Sequence, residues 1–154
     1  MSIFNFWERF KRGAKSPQTP EGKEINRFID RFKKEQKNEI ENIENFFEML
    51  SPYQNPETLL MTLKEFIEYL EEQAKPIRED IRIETNPSKI NDLNNELTNI
   101  DLLKSYIYTY INSSKSKFYD LPEIKEETTT LSQLIFILKE RERKIKEILN
   151  LNTK

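Results

Sequence analysis

Three glutamates, Glu65, Glu68 and Glu72, recur every three or four residues, a spacing that places them on one side of a helix. Paired carboxylates can exchange protons with a substrate, and helical bundles often hold two metal ions through glutamate and histidine ligands. The sequence contains no histidine, so this ligand set cannot be completed in its usual form. Because the three glutamates also lie off the apolar stripe of their helix, we interpret them as a solvated acidic face.

Other residues that commonly carry catalysis are missing from the sequence. There is no cysteine, which excludes a thiolate nucleophile, a thiolate metal site and a disulfide framework. Neither a glycine-rich phosphate-binding loop nor a Gly-x-Ser-x-Gly nucleophile motif occurs. We therefore predict that the protein is not an enzyme, that it has no cofactor, metal site or catalytic residue, and that it binds no small molecule.

The opening segment SIFNFWERFKR, residues 2–12, has the composition of a docking helix. On a helix its apolar residues span about 160° of the surface, with the arginines on the other side, as in helices that bind membranes or partner proteins. A segment of about eleven residues is marginal as an isolated helix, so we expect it to dock on a preformed surface. The predicted partner-binding residues here are Ile3, Phe4, Phe6, Trp7, Arg9, Phe10, Lys11 and Arg12.

A second apolar stripe, formed by Leu102, Tyr106 and Tyr110, recurs every four residues away from the main face of its predicted helix. We predict that this stripe also binds, and that the opening segment packs on it or in a groove beside it. A partner protein and a membrane surface are the alternative occupants of the segment. We favour a protein contact, within or between chains, over lipid.

Charge restricts the class of partner. The net charge is −2, but residues 1–20 carry +3 and residues 39–84 carry −8, an asymmetry that favours attraction between these regions or to different partners. The basic clusters at 31–37 and 141–146 are interleaved with glutamates. Intrahelical ion pairs explain these clusters more simply than a nucleic-acid interface does. No secretory signal and no run of 18 apolar residues occurs, and we expect a cytoplasmic protein.

The period of the apolar residues predicts four long helices. The first begins near Ile25 and ends at Ser51-Pro52. Asn55-Pro56 has the pattern of a capping residue followed by proline at the first helical position, so we predict that the second helix begins there. Its stripe keeps its phase past Pro76, which favours a kink at this proline over the end of the helix.

The same start signal, Asn86-Pro87, opens the third predicted helix. Its last residues, YIYTYI at 106–111, have high strand propensity, but they continue a helical pattern and we expect them to be helical. Thr129 or Thr130 is expected to cap the fourth helix. Residues near the middle of the four stripes are predicted to share one core: Phe32, Ile43, Phe66, Leu70, Ile100, Ile107 and Leu138.

Two polar residues, Gln36 and Glu142, fall inside apolar stripes. A buried polar group is costly unless it is paired. We interpret both residues as lying at a bundle end or as extending their polar groups to water. A polar layer that fixes the helix register is the alternative.

These observations predict an all-α fold, in which an antiparallel bundle of four long helices occupies residues 23–151; an elongated pair of helical hairpins with a less complete core is the alternative. An amphipathic docking helix at 1–12 precedes it on a flexible tether at 13–22. The favoured function is a non-catalytic protein–protein interaction module: an adaptor, an inhibitor or immunity-type protein, or the small subunit of a larger complex. A nucleic-acid-binding subunit of an assembly and a peripheral membrane protein are the alternatives.

Deletion of residues 1–15 tests which surface the opening segment binds. If the segment binds another protein, the deletion abolishes that binding and leaves the melting temperature nearly unchanged, whereas self-docking predicts a lower melting temperature. Trp7 is the sole tryptophan in the sequence, so its emission reports on this segment. Emission that moves to the blue only when anionic vesicles are added would contradict our preference for a protein contact.

Overall fold

The computed structural model describes residues 20–113 and 122–153. Helix makes up 85% of this part of the chain, and it contains no strand. The predicted all-α class is therefore confirmed. The docking helix predicted at 1–12 lies outside the described residues, as does most of the tether predicted at 13–22.

The first helix, α1 (Pro20–Leu50), has 31 residues. Pro20 occupies its first position, where the missing N–H costs little because the first N–H groups of a helix have no acceptor within it. The helix thus includes residues 20–22, which the sequence assigned to the tether. Its buried apolar residues recur at helical spacing, as predicted: Phe32, Ile43, Phe46 and Leu50.

Two short elements follow α1. The chain makes a 3-10 turn at Ser51–Tyr53 and then a single-turn helix, α2 (Pro56–Leu59). The side-chain carbonyl of Asn55 accepts hydrogen bonds from the backbone N–H groups of Glu57 and Thr58, both at 3.0 Å. The predicted helix start at Asn55-Pro56 is confirmed, but the helix that begins there has only four residues.

The next long helix, α3 (Leu63–Ile83), begins later than predicted. The hydroxyl of Thr62 accepts a hydrogen bond from the N–H of Glu65 at 3.2 Å, and the Glu65 carboxylate accepts one from the N–H of Thr62 at 3.3 Å. The prediction of one continuous helix from Pro56 was wrong, because this capping box starts a new helix inside the apolar pattern. Leu60, which fits the phase of the stripe, is 78% exposed.

Helix α3 continues past Pro76 to Ile83, so this proline does not end the helix. Helix α4 (Pro87–Asn112) begins at the predicted signal, with the Asn86 side chain accepting a hydrogen bond from the N–H of Ser88 at 3.0 Å. Residues 106–111 are helical, as expected.

A set of backbone hydrogen bonds joins residues 61–64 to residues 126–131, and we call it the clasp. The N–H of Leu63 donates to the carbonyl of Thr129, and the N–H of Leu131 donates to the carbonyl of Met61, both at 2.9 Å. The N–H of Lys64 also donates to the carbonyl of Glu126 at 2.9 Å. The first N–H groups of α3 and of α5 (Leu131–Thr153) thereby find acceptors that their own helices cannot provide.

Thr130 caps α5. Its hydroxyl accepts a hydrogen bond from the N–H of Gln133 at 3.2 Å, and the Gln133 side chain accepts one from the N–H of Thr130 at 2.9 Å. Thr129 is buried, and its hydroxyl accepts a hydrogen bond from the N–H of Lys125 at 2.8 Å. Of the two threonines proposed as caps, Thr130 caps the helix and Thr129 holds the preceding turn.

The described residues form two compact units, a first unit of residues 20–45 and 136–153 and a second unit of residues 46–113 and 122–135. Helices α3 and α4 pack against each other in the second unit. All seven residues predicted for the core are buried. Three of them belong to the first unit (Phe32, Ile43 and Leu138), and four to the second (Phe66, Leu70, Ile100 and Ile107).

Truncation of a core leucine tests this assignment. Leu70 is fully buried in the second unit, so Leu70→Ala should lower the free energy of unfolding by about 2–5 kcal/mol. The exposed Leu60 provides the matched control, since Leu60→Ala should change it by less than about 0.5 kcal/mol. Urea unfolding followed by circular dichroism measures both. A loss below about 1 kcal/mol for Leu70→Ala would place Leu70 at the surface.

Candidate interaction surfaces

The predicted binding residues of the opening segment, from Ile3 to Arg12, lie outside the described residues, so their role stays a prediction. The predicted stripe on α4 is described, and its three residues differ in exposure. Leu102 is 44% exposed and Tyr106 is half-buried, whereas Tyr110 is only 5% exposed.

An aromatic cluster in the second unit explains this gradient along α4. The ring of Tyr110 meets the ring of Phe46 edge to face, with centroids 5.4 Å apart. The ring of Tyr106 lies 6.0 Å from that of Phe46 and stacks on Tyr110 at 6.2 Å. Tyr110 is therefore a core residue, and Leu102 is the part of the predicted stripe that stays open.

Tyr108 lies between acidic residues of the second unit and is partly exposed. Partial burial raises the pKa of its phenol, and the nearby carboxylates of Glu126 and Glu71 raise that pKa further. The described residues of this unit include fifteen acidic and seven basic side chains, a net charge of −8. The exposed surface of the second unit is therefore acidic, with large apolar side chains within it.

A cleft of about 290 Å³ lies between the end of α3 and the start of α4. Ile83, 77% exposed, and the half-buried Leu93 supply its apolar surface. Hydrogen bonds from the backbone N–H groups of Asn86 and Thr85 lower the pKa of the Glu84 carboxyl, so it stays ionised. The other charged residues that line the cleft are Asp80, Lys89 and Asp92.

Three carboxylates and one ammonium line the cleft, so its net negative charge favours a cationic ligand group. The aliphatic part of a lysine or arginine side chain can pack on Ile83 and Leu93, while its charged end lies near the carboxylates of Asp80 and Asp92. The sequence analysis did not identify this cleft, because its residues come from two helices and the segment between them. Ile83, an apolar residue beside a helix end, was the sequence signal that could have indicated the cleft.

The basic cluster on α5 is largely neutralised by carboxylates. Arg143 donates hydrogen bonds to Glu140 at 3.0 Å and to Glu147 at 2.6 Å. The hydrogen bond from Arg143 lowers the pKa of Glu140. Lys146 donates to Glu142, which is partly exposed, at 3.2 Å. The prediction of intrahelical ion pairs is confirmed for these residues.

Arg141, from the same cluster, has a different environment that the sequence did not reveal. It is only 3% exposed, and its Nη1 lies 3.6 Å from Oε1 of Glu39 on α1, within the first unit. That distance is too long for a hydrogen bond, and the Arg141 Nε has no hydrogen-bond partner. Four-residue spacing from the buried Ile137 and Ile145 was the signal for its burial.

Gln36, one turn before Glu39, is also buried. Its burial contradicts the interpretation as a side chain extending to water, while a bundle end and a polar layer both stay predictions. Burial raises the pKa of the Glu39 carboxyl, and the attraction of Arg141 offsets this shift only in part. All three polar residues belong to the first unit, and the burial of Gln36 and Arg141 there has a cost in desolvation.

Neither a membrane-spanning segment nor a metal-binding group is found in residues 20–113 and 122–153. No helix there is long and apolar enough to cross a membrane, and no three acidic, histidine or cysteine side chains converge to hold a metal ion. Comparison of the chain with protein-family models, curated proteins and solved structures finds no match.

The raised pKa of Glu39 makes a pH-dependent prediction. When the pKa of a carboxyl is higher in the folded state than in the unfolded state, the protonated carboxyl favours the folded state. This contribution to stability is fully present below the ordinary pKa of 4.5, and it is lost as the pH rises through the raised pKa. The wild type should therefore lose stability relative to Glu39→Gln as the pH rises from 4.5 through the raised pKa. Urea unfolding of both proteins across this range measures the difference. A difference that does not change with pH would contradict the assignment.

Proposed function

We propose that this protein is a non-catalytic protein–protein interaction module, acting as an adaptor, an inhibitor or immunity-type protein, or the small subunit of a complex. The observation that carries the proposal is the cleft between α3 and α4, where the exposed Ile83 lies among carboxylates. A partner that presents a lysine or arginine beside apolar residues matches both features of the cleft. The net charge of −8 on the described second unit favours encounter with such a partner.

The opening segment is a second docking element in this proposal. Residues 2–12 combine aromatic and basic side chains, and the exposed Leu102, beside the half-buried Tyr106, provides a further apolar surface on α4. We also propose that the four long helices complete one antiparallel bundle, that residues 13–19 tether the opening segment to it, and that the protein acts in the cytoplasm.

Nucleic-acid binding and membrane association are the weaker alternatives. A nucleic-acid interface needs basic side chains that converge on one face, whereas Arg143 and Lys146 are engaged with glutamates. Membrane association depends on residues 2–12 alone. Neither nucleic-acid binding nor membrane association explains the cleft between α3 and α4.

Copurification with matched variants tests the proposal. The full chain, tagged and expressed at a low level, is captured and washed with nuclease and with mild detergent. We expect a protein partner that survives both washes, is lost with Ile83→Ser/Asp92→Asn, and is kept with Leu60→Ser, which removes an equally exposed leucine elsewhere in the second unit. Both variants should retain the wild-type melting temperature.

Two outcomes would contradict a protein–protein interaction function, and a third would contradict the role of the cleft. Bound material that disappears with nuclease indicates nucleic acid, and material that disappears with detergent indicates lipid. A protein partner retained equally by the wild type and by Ile83→Ser/Asp92→Asn places the binding surface away from the cleft.

A further inference from the structure

The first unit contains a polar layer within an apolar helix contact. Phe32, Ile145 and Ile148 form a buried cluster, with Ile29, Ile40 and Leu149 packed against it. Between apolar residues of the same helices lie Gln36 and Glu39 on α1 and Arg141 on α5. These three residues are the polar layer.

A contribution to the stability of the fold does not explain why these polar residues lie in the helix contact. Removal of a guanidinium from water is costly, and the attraction of a carboxylate offsets this cost only when the geometry is good and the remaining donors are satisfied. Here the closest approach of the two charged groups is 3.6 Å, and the Nε of Arg141 has no hydrogen-bond partner. Apolar side chains of similar volume would be expected to stabilise the contact at least as well.

Apolar residues alone specify the register of two helices poorly. A shift of one turn, about 5.4 Å, keeps the apolar stripes of the two helices facing each other. The same shift would move Glu39 away from Arg141 and leave a buried cation without its carboxylate. The Arg141 side chain is buried, whereas that of Glu39 is 30% exposed, so the cost of separating the two residues falls on the unpaired guanidinium.

We propose that the polar layer of Gln36, Glu39 and Arg141 specifies the register in which α1 and α5 pair in the first unit. The apolar residues supply the attraction between the helices, and the ion pair excludes the registers that would separate its members. This inference goes beyond the proposed function and does not depend on it.

A pair of spin labels measures the register directly. The chain has no cysteine, so Glu44→Cys and Lys146→Cys provide two unique sites, and in the wild type their side chains meet at 3.9 Å on the surface of the first unit. With the polar layer intact we expect one narrow distance distribution. With Glu39→Leu/Arg141→Met we expect a second population at a longer distance, because a slip of one turn moves the two labels out of level, without a lower melting temperature. A single narrow distribution in Glu39→Leu/Arg141→Met would overturn the proposal.

Two further variants test whether a change in the distance distribution is specific to the polar layer. Glu140→Gln/Arg143→Met removes an exposed ion pair of α5, joined at 3.0 Å, and should keep one narrow distribution. A second population in this control would overturn the proposal, because the effect would not be specific to the polar layer. The charge swap Glu39→Arg/Arg141→Glu should restore one distribution even if Glu39→Leu/Arg141→Met fails to fold. A broad distribution or loss of folding in the charge swap would contradict the proposal.

Discussion

The clasp is the constraint on which the second unit depends. Residues 61–64 and 126–131 come from distant parts of the chain, yet they satisfy one another's backbone groups over distances of 2.9 Å. Unsatisfied N–H groups at a buried helix start are costly, so α3 and α5 each need the other to begin where they do. The two capping boxes, at Thr62 and Thr130, complete the same arrangement through side chains. The starts of α3 and α5 thus stabilise each other.

The two units differ in net charge. The described residues of the second unit carry a net charge of −8, while those of the first unit carry +1. Several charged residues of the first unit form ion pairs, and in one of these pairs the Arg141 side chain is buried while Glu39 is partly exposed. The second unit leaves carboxylates near exposed apolar side chains, and this is why its cleft is the better candidate for contact with another molecule.

The parts of the fold that the sequence predicted are those with local signals. Asn-Pro pairs marked the starts of α2 and α4, because a capping side chain and a proline act within one turn. The break before Thr62 was missed, since Leu60 keeps the helical phase although it is exposed. The clasp left no trace in the sequence because backbone groups carry no residue-specific signature. Burial of Arg141 depends on Glu39 of a distant helix, and single-helix patterns do not report such a partner.

The clasp also bears on the order in which the chain folds. Contacts between α3 and α4 are local, and loop closure for such a hairpin costs little entropy, so this pair can form early. The clasp joins residues on either side of the whole of α3 and α4, which raises the contact order of the second unit. During synthesis, the first N–H groups of α3 have to wait for residues 126–131 to leave the ribosome. The nascent α3–α4 hairpin is consequently the stage at which apolar surface is most open to a chaperone.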